Sequence, residues 1–253
     1  RIRLMKKPQH VNAFTLIELL VVIAIIGILA SLLLPVLAGA KKKARTIKSV
    51  SNQQQIGIGY TGYLGDHDGW FPIVTGPASV GGKQGDGLAS LGHPLPALVA
   101  RLYGAKTPEN ERPLNEYVGD PEAFHDPADI GGGKYNLYSC WESLGNSYQP
   151  QVADNMFRVK RVMGVNTEPS GSYEGKSMHE SELTAYNAVD KKIIQGDWNW
   201  PYDREDAWHG VKDYGRHVML YGDMHVEQFV FPPTSTLLKW MLQPPPDPAF
   251  TWW

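Results

Sequence analysis

The chain of 253 residues has a single cysteine, Cys140, and so lacks the means for a disulfide framework or a cysteine-based zinc site. Charge is also sparse, at 20 % of residues, and the formal net charge is −2. That near-neutral total argues against a general nucleic-acid binder, which would carry a basic face. No nucleophile elbow, phosphate-cradling Gly loop or HExxH pair occurs, so acyl transfer and phosphoryl transfer have no residues to carry them. What the sequence does have is 42 % apolar residues, 26 Gly and 19 Pro, a composition that excludes a wholly disordered chain.

Acidic residues are nearly missing from one end. Residues 1–48 hold Arg1, Arg3, Lys6, Lys7, Lys41, Lys42, Lys43, Arg45 and Lys48 against Glu18 alone, a balance of +8. The remaining residues, 49–253, carry 15 basic and 25 acidic side chains, a balance of −10. Between the two basic groups, 22 residues from Leu19 to Ala40 have no charge at all. About 20 apolar residues are enough to cross the hydrocarbon core as a helix. The flanks are almost equally basic, so the positive-inside rule does not fix an orientation.

Three readings compete for this segment. A secretory signal peptide would use Ala38-Gly39-Ala40 before Lys41 as its cleavage site, but the apolar stretch is too long for one. A plain membrane anchor is the simplest alternative. Both leave Glu18 unexplained, although a carboxylate in a membrane segment is costly and points to a partner charge.

The stretch Ala13-Phe14-Thr15-Leu16-Ile17-Glu18-Leu19-Leu20 resembles the signature of type IV prepilins and type II secretion pseudopilins. The resemblance implies a leader over residues 1–13, with Met5-Lys6-Lys7 as an ordinary start. It implies cleavage between Ala13 and Phe14 by a prepilin peptidase, then N-methylation at Phe14. Ala13 departs from the Gly usual in the family. Glu18 becomes the fifth mature residue, the one that pairs with a neighbouring subunit's N-terminal amine; Gly27 and Pro35 match a helix Gly and a helix-loosening Pro. The physics agrees, because an amine and a carboxylate attract strongly in low dielectric, whereas either one buried alone is destabilising. Pro35 removes one helical hydrogen bond and crowds the preceding turn. The implied partners are the peptidase, other pilin or pseudopilin subunits, the inner-membrane assembly platform and membrane lipid, with no nucleic acid. The implied localisation is a single-pass inner-membrane protein with an extracytoplasmic head, then a fibre or the cell surface.

The organisation expected is a leader (1–13), a transmembrane or fibre-core helix (14–40), its amphipathic continuation (41–65) and a globular head (66–253). The apolar stripe of the continuation is read as Ile47, Val50, Ile58 and Leu64, weakened by Gly57, Gly59 and Gly62. Fifty helical residues would reach roughly 75 Å. The Lys41–Arg45 cluster is read as a lipid-headgroup anchor, and Asp66-His67-Asp68-Gly69 as the turn that ends the helix.

Beyond Trp70, Gly and Pro punctuate short segments of strand character: Trp70–Val74, Phe157–Val165, Lys192–Ile194, Val218–Tyr221 and His225–Phe231. Leu95–Tyr103 and Ser181–Tyr186 read as short helices. The fold class expected is α+β, a long N-terminal helix with an antiparallel sheet packed on its emerging part. Two further stretches resemble a bacterial subgroup of prepilin-like proteins with elaborated heads. In Phe124-His125-Asp126-Pro127-Ala128-Asp129, His125-Asp126 stands where relatives have Cys. In Trp208-His209-Gly210 … Asp223-Met224-His225-Val226, the spacer is longer than usual and Met224 replaces Gly. A turn there that needs positive φ would be strained by Met224.

His209, His217, Asp223 and His225 are the densest set of potential metal ligands, and a hairpin would bring them together. The simpler reading is a His-to-carboxylate hydrogen bond that fixes the hairpin, and no cofactor is required. Ca2+ is the other option, with Asp197, Asp203, Glu205 and Asp206 close in sequence but without EF-hand spacing. The aromatic run Trp198, Trp200, Tyr202, Trp208 and the terminal Trp252-Trp253 are core residues or a stacking surface for sugars or a partner. Cys140 is read as a buried thiol. The function expected is non-enzymatic: a prepilin-like fibre subunit, against the alternative of a membrane-anchored glycan- or ligand-binding protein that does not polymerise.

Overall fold

The structure is a computed structural model that describes residues 16–87, 97–132, 137–152, 161–166, 175–185, 189–198, 200, 208, 209 and 216–231. The chain divides into two compact units, Arg1–Lys43 and Ala44–Trp253. Helix α1, Leu16–Asp66, contributes to both. In the first unit its Leu, Ile and Val side chains are exposed, Leu16 at 79 % and Val36 at 70 %. An 18-residue window there has mean hydropathy 3.0 and nothing buried, so length and composition suit a membrane crossing. The helix carries Pro35 internally, and Gly27 has open space around it.

In the second unit α1 becomes a core element by an unexpected face. Its buried residues are Thr46, Ser49, Asn52, Gln53, Ile56, Gly57, Gly59, Tyr60 and Leu64, which repeat at helical spacing. The expected stripe is therefore corrected: Ile47 is 61 % and Ile58 72 % exposed, and only Leu64 of the four is fully buried. The glycines explain the choice. A Cβ on Gly59 would stand 2.5 Å from Val118 Cγ2, and one on Gly57 would stand 3.1 Å from Leu220. These glycines are where other elements approach closest, so they set which face turns inward. The helix stops at Asp66, and Asp68 (φ 49°) and Gly69 (φ 78°) turn the chain in left-handed conformations.

The remaining elements are β1 (Ile73–Val74), α2 (Ala97–Leu102), α3 (Asn115–Val118), α4 (Cys140–Leu144), β2 (Tyr148–Pro150), β3 (Gly164–Val165), α5 (Glu180–Ala185), β4 (Ile193–Asp197), β5 (Arg216–Tyr221) and β6 (Val226–Val230). The α+β class holds, with a four-stranded antiparallel sheet in the order β2-β4-β5-β6. Central β4 is buried throughout, as an inner strand should be, and edge strand β6 is largely exposed. Pro150 sits in edge strand β2, where the missing N–H is tolerated. Two expected strands do not join this sheet. Ile73–Val74 pairs in parallel with Gly164–Val165 as a separate two-stranded piece, and residues 157–160 lie outside the described residues.

Ile56 and Tyr60 of α1 share one core with Phe71, Leu114, Phe124, Tyr148, Ile194 and Leu220. A second cluster gathers Ala105, Cys140, Trp198 and Trp208, and a third gathers Trp200, Met219, Tyr221 and Phe231. Arg112 ties the loops over this core. Its guanidinium, 2 % exposed, donates to the carbonyls of Ala78, Gly81, Ala105, Thr107 and Leu144. Five donors in a rigid fork suit such a convergence of acceptors. Burial lowers the Arg112 pKa to about 10, still well above neutrality.

Candidate functional site

The polar face of α1 meets the head in a buried hydrogen-bonded network. Asp126 is 0 % exposed and lies just past the short helical turn Pro121–Phe124, where its Oδ1 accepts from the backbone N–H of Ala128 at 2.7 Å. Its Oδ2 accepts from Ser49 Oγ at 2.5 Å and pairs with His209 Nε2 at 2.9 Å. The other imidazole nitrogen, Nδ1, lies 3.0 Å from Thr46 Oγ1. Ser49 Oγ is also 3.3 Å from Tyr148 OH. Thus α1, β2, the Phe124–Asp129 stretch and His209 are joined through one carboxylate and one imidazole.

Asp197, the last residue of β4, completes the cluster. Its Oδ2 is 3.7 Å from His209 Nε2 and accepts from the Val218 backbone N–H at 2.8 Å. Its Oδ1 is buried and has no hydrogen-bond partner. Burial pushes the Asp197 carboxyl up to about 8, opposed by the nearby His209 and reinforced by Asp126. The same desolvation raises the Tyr148 hydroxyl well above its usual range. One donor atom each from Asp126, Asp197 and His209 lies within 4.8 Å of the others.

Further along α1, Asn52 Nδ2 donates to His125 O at 2.7 Å and Gln53 Nε2 donates to Val218 O at 3.3 Å. Gln195 Nε2 donates to Gln53 Oε1 at 2.8 Å, and Tyr60 OH donates to Gln195 Oε1 at 2.8 Å. Buried amides and hydroxyls are tolerated only when paired in this way.

The ligand set expected from sequence is divided by the fold. His209 lies in the buried network just described. His217, on β5, is 2 % exposed, its two ring nitrogens lack hydrogen-bond partners, and burial lowers its pKa to about 3. Asp223 and His225 sit at the exposed β5–β6 turn, where His225 Nδ1 bonds Asp223 Oδ1 and its ring stacks on Tyr221. Four residues spread over three environments form no common site. Met224 in that turn has φ 64°, the left-handed conformation in which a residue other than Gly is strained. Of the acidic group considered for Ca2+, Asp197 points into the core, and Asp203, Glu205 and Asp206 lie outside the described residues.

Trp198, Trp200 and Trp208 are buried, with Trp208 Nε1 donating to Gly131 O and Trp200 Nε1 to Gln149 O. These three offer no stacking surface; Tyr202, Trp252 and Trp253 lie outside the described residues. Cys140 is buried in α4. Asp129 caps that helix, accepting from the N–H groups of Cys140 and Trp141 at 3.0 and 2.7 Å. Sequence reasoning missed Asp126 as a site residue, and with it Thr46, Ser49 and Asn52. The available signal was the polar recurrence Thr46, Ser49, Asn52, Gln53 at helical spacing, which an apolar-stripe search passes over.

Of the processing residues, Ala13 and Phe14 lie outside the described residues. Glu18, Gly27 and Pro35 are all on the first unit's part of α1, with the Glu18 side chain exposed.

Residues 9–34 match the family model described as the prokaryotic N-terminal methylation motif. The chain is 50 % identical over 48 residues to type II secretion system core protein G of Escherichia coli (strain K12), which is 19 % of this chain and 33 % of that one. It is 48 % identical over 48 residues, with the same coverage, to the protein of that name from Vibrio cholerae serotype O1. The chain thus spans about a third of the length of these relatives. No solved structure matches. The N-terminal segment is a prepilin-type methylation motif leading into a pseudopilin-like apolar helix, as the Phe-Thr-Leu-Ile-Glu stretch implied.

Proposed function

We propose that this protein is a prepilin-like structural subunit, cleaved between Ala13 and Phe14, N-methylated at Phe14, and packed into a pseudopilus-like or type IV pilus-like fibre. The observation that carries the reading is the methylation motif at residues 9–34 running directly into a helix whose apolar side chains lie open. Such a surface needs lipid before assembly and neighbouring subunits after it. Glu18 sets register by meeting another subunit's amine, and Pro35 gives the helix a place to loosen. The partners are then a prepilin peptidase, other pilin-like subunits, an assembly platform and membrane lipid, with the head on the extracytoplasmic side. The role is structural rather than enzymatic. Trp198, Trp200 and Trp208 are buried and lend no support to a glycan-binding head.

Mass spectrometry of the N-terminal peptide from membrane and sheared-surface fractions tests this. An N-methylated Phe14 terminus is expected, and Glu18→Ala should leave cleavage intact but remove the protein from the sheared fraction. A terminus at Lys41 would overturn the reading, because the spine helix would then be lost as a signal peptide.

A further inference from the structure

The cluster of Asp126, Asp197 and His209 has a charge problem that its hydrogen bonds do not solve. Two carboxylates and one imidazole are sealed from solvent, and the groups bonded to the two carboxylates are a hydroxyl, two backbone N–H groups and His209. With both acids ionised and His209 protonated, one negative charge stays uncompensated in low dielectric, an expensive state. A proton on Asp197 is one remedy. A divalent cation is another, and it neutralises two carboxylates beside a neutral imidazole.

The geometry points to the second remedy, and we propose that Asp126, Asp197 and His209 hold a buried divalent transition cation, with zinc the best match. The donors are one nitrogen and carboxylate oxygens, a set suited to zinc at bond lengths of about 2.0–2.2 Å. Ligand atoms on such a tetrahedral ion stand about 3.3 Å apart. The contacts of His209 Nε2 to Asp126 Oδ2 and Asp197 Oδ2, at 2.9 and 3.7 Å, bracket that spacing. Shifts of a few tenths of an ångström would centre the ion.

The partnerless Asp197 Oδ1 is the second observation. It belongs to a carboxylate already in the cluster, so Asp197 keeps an oxygen unused by protein hydrogen bonds beside the one that faces His209. The outer groups are also in place. Thr46 Oγ1 lies 3.0 Å from His209 Nδ1 and would accept its N–H once Nε2 is on the ion, and Ser49 Oγ and Ala128 N hold Asp126. Metal-binding His residues need such an orienting partner on the second nitrogen. Because Thr46 and Ser49 belong to α1, the ion would lock the head onto α1 from within. This site does not depend on the fibre reading.

The test uses the full-length chain in detergent, stripped with chelator in mild denaturant, refolded, and dialysed after incubation with zinc. About one zinc per chain is expected, with Tm higher by about 5 °C than in the stripped protein. Asp197→Asn should keep the fold and lose the metal. Zinc X-ray absorption on the wild type should show imidazole nitrogen and carboxylate oxygen near 2.0 Å and no sulfur, a reading that stands even if the variant fails to fold. Less than about a tenth of an equivalent bound, zinc that Asp197→Asn retains, or sulfur in the coordination shell would each overturn the proposal.

Discussion

His217 makes acid stability a direct probe of the β5 packing. Its imidazole is 2 % exposed, its nitrogens have no hydrogen-bond partner, and Phe231 meets it edge-on at 5.7 Å. Burial, with a smaller contribution from the charge on His209, lowers its pKa from 6.5 to about 3. Between those values the unfolded chain binds a proton that the native chain excludes. The native state is therefore penalised as pH falls below about 6.5, by up to ~1.4 kcal/mol per pH unit, and the penalty stops growing near pH 3. At pH 4.5, two units down, that is on the order of 2.7 kcal/mol, or a Tm lower by ~5–10 °C for a domain of this size. Asp197 acts with the opposite sign in metal-free protein: its raised carboxyl retains a proton from about pH 4 to about 8, so it weakens the fold as pH rises through that window. The two effects offset between about pH 4 and 6.5, so the wild-type profile alone is uninformative. His217→Phe isolates the first. Urea unfolding of the full chain in detergent with chelator, followed by Trp fluorescence, should show wild type losing stability relative to His217→Phe as pH falls from 6.5 to 4. If the difference between the two proteins stays constant within about 0.5 kcal/mol over that range, His217 is not buried as a neutral ring and the β5 packing is wrong.

Arg112→Lys should destabilise by ~2–3 kcal/mol in the same assay, because three donors cannot serve five buried carbonyls and each orphaned acceptor is costly; an effect under 0.5 kcal/mol would contradict the hub. Gly145→Ala should fail to accumulate as folded protein at 37 °C. Gly145 has φ 81°, and a Cβ there would stand 1.8 Å from the Lys83 carbonyl, which strains two loops at once. Normal expression and an unchanged Tm would refute that reading of the α4 end.

The sequence made the apolar half of α1 legible because a membrane-crossing helix is specified by length and composition alone, and Leu19–Ala40 has both. Strands β4, β5 and β6 were also legible, since Ile193-Ile194, Val218–Tyr221 and Val226–Val230 are rich in β-branched or large apolar residues between turn signals. β2 was not. Tyr148-Gln149-Pro150 is three residues long and ends in Pro, so its strand state comes from pairing with β4 rather than from propensity. Ile73–Val74 has strand propensity, but propensity does not name a partner, and a parallel one 91 positions away, Gly164, is a tertiary choice.

The head-facing side of α1 escaped for a more instructive reason. An amphipathic search assumes that the buried face is the apolar one, and here Ile47 and Ile58 face outward while Ser49, Asn52 and Gln53 face in. A polar stripe is buried at low cost when the head brings partners to most of its groups, as Asp126, His125 O, Val218 O and Gln195 do, with Asn52 Oδ1 left without a hydrogen bond. Apolar contacts would let the helix slide or rotate at little loss, whereas each hydrogen bond in this row is satisfied at one register only, and a one-turn slip would orphan several buried groups. The row therefore fixes where along α1 the rest of the second unit is held.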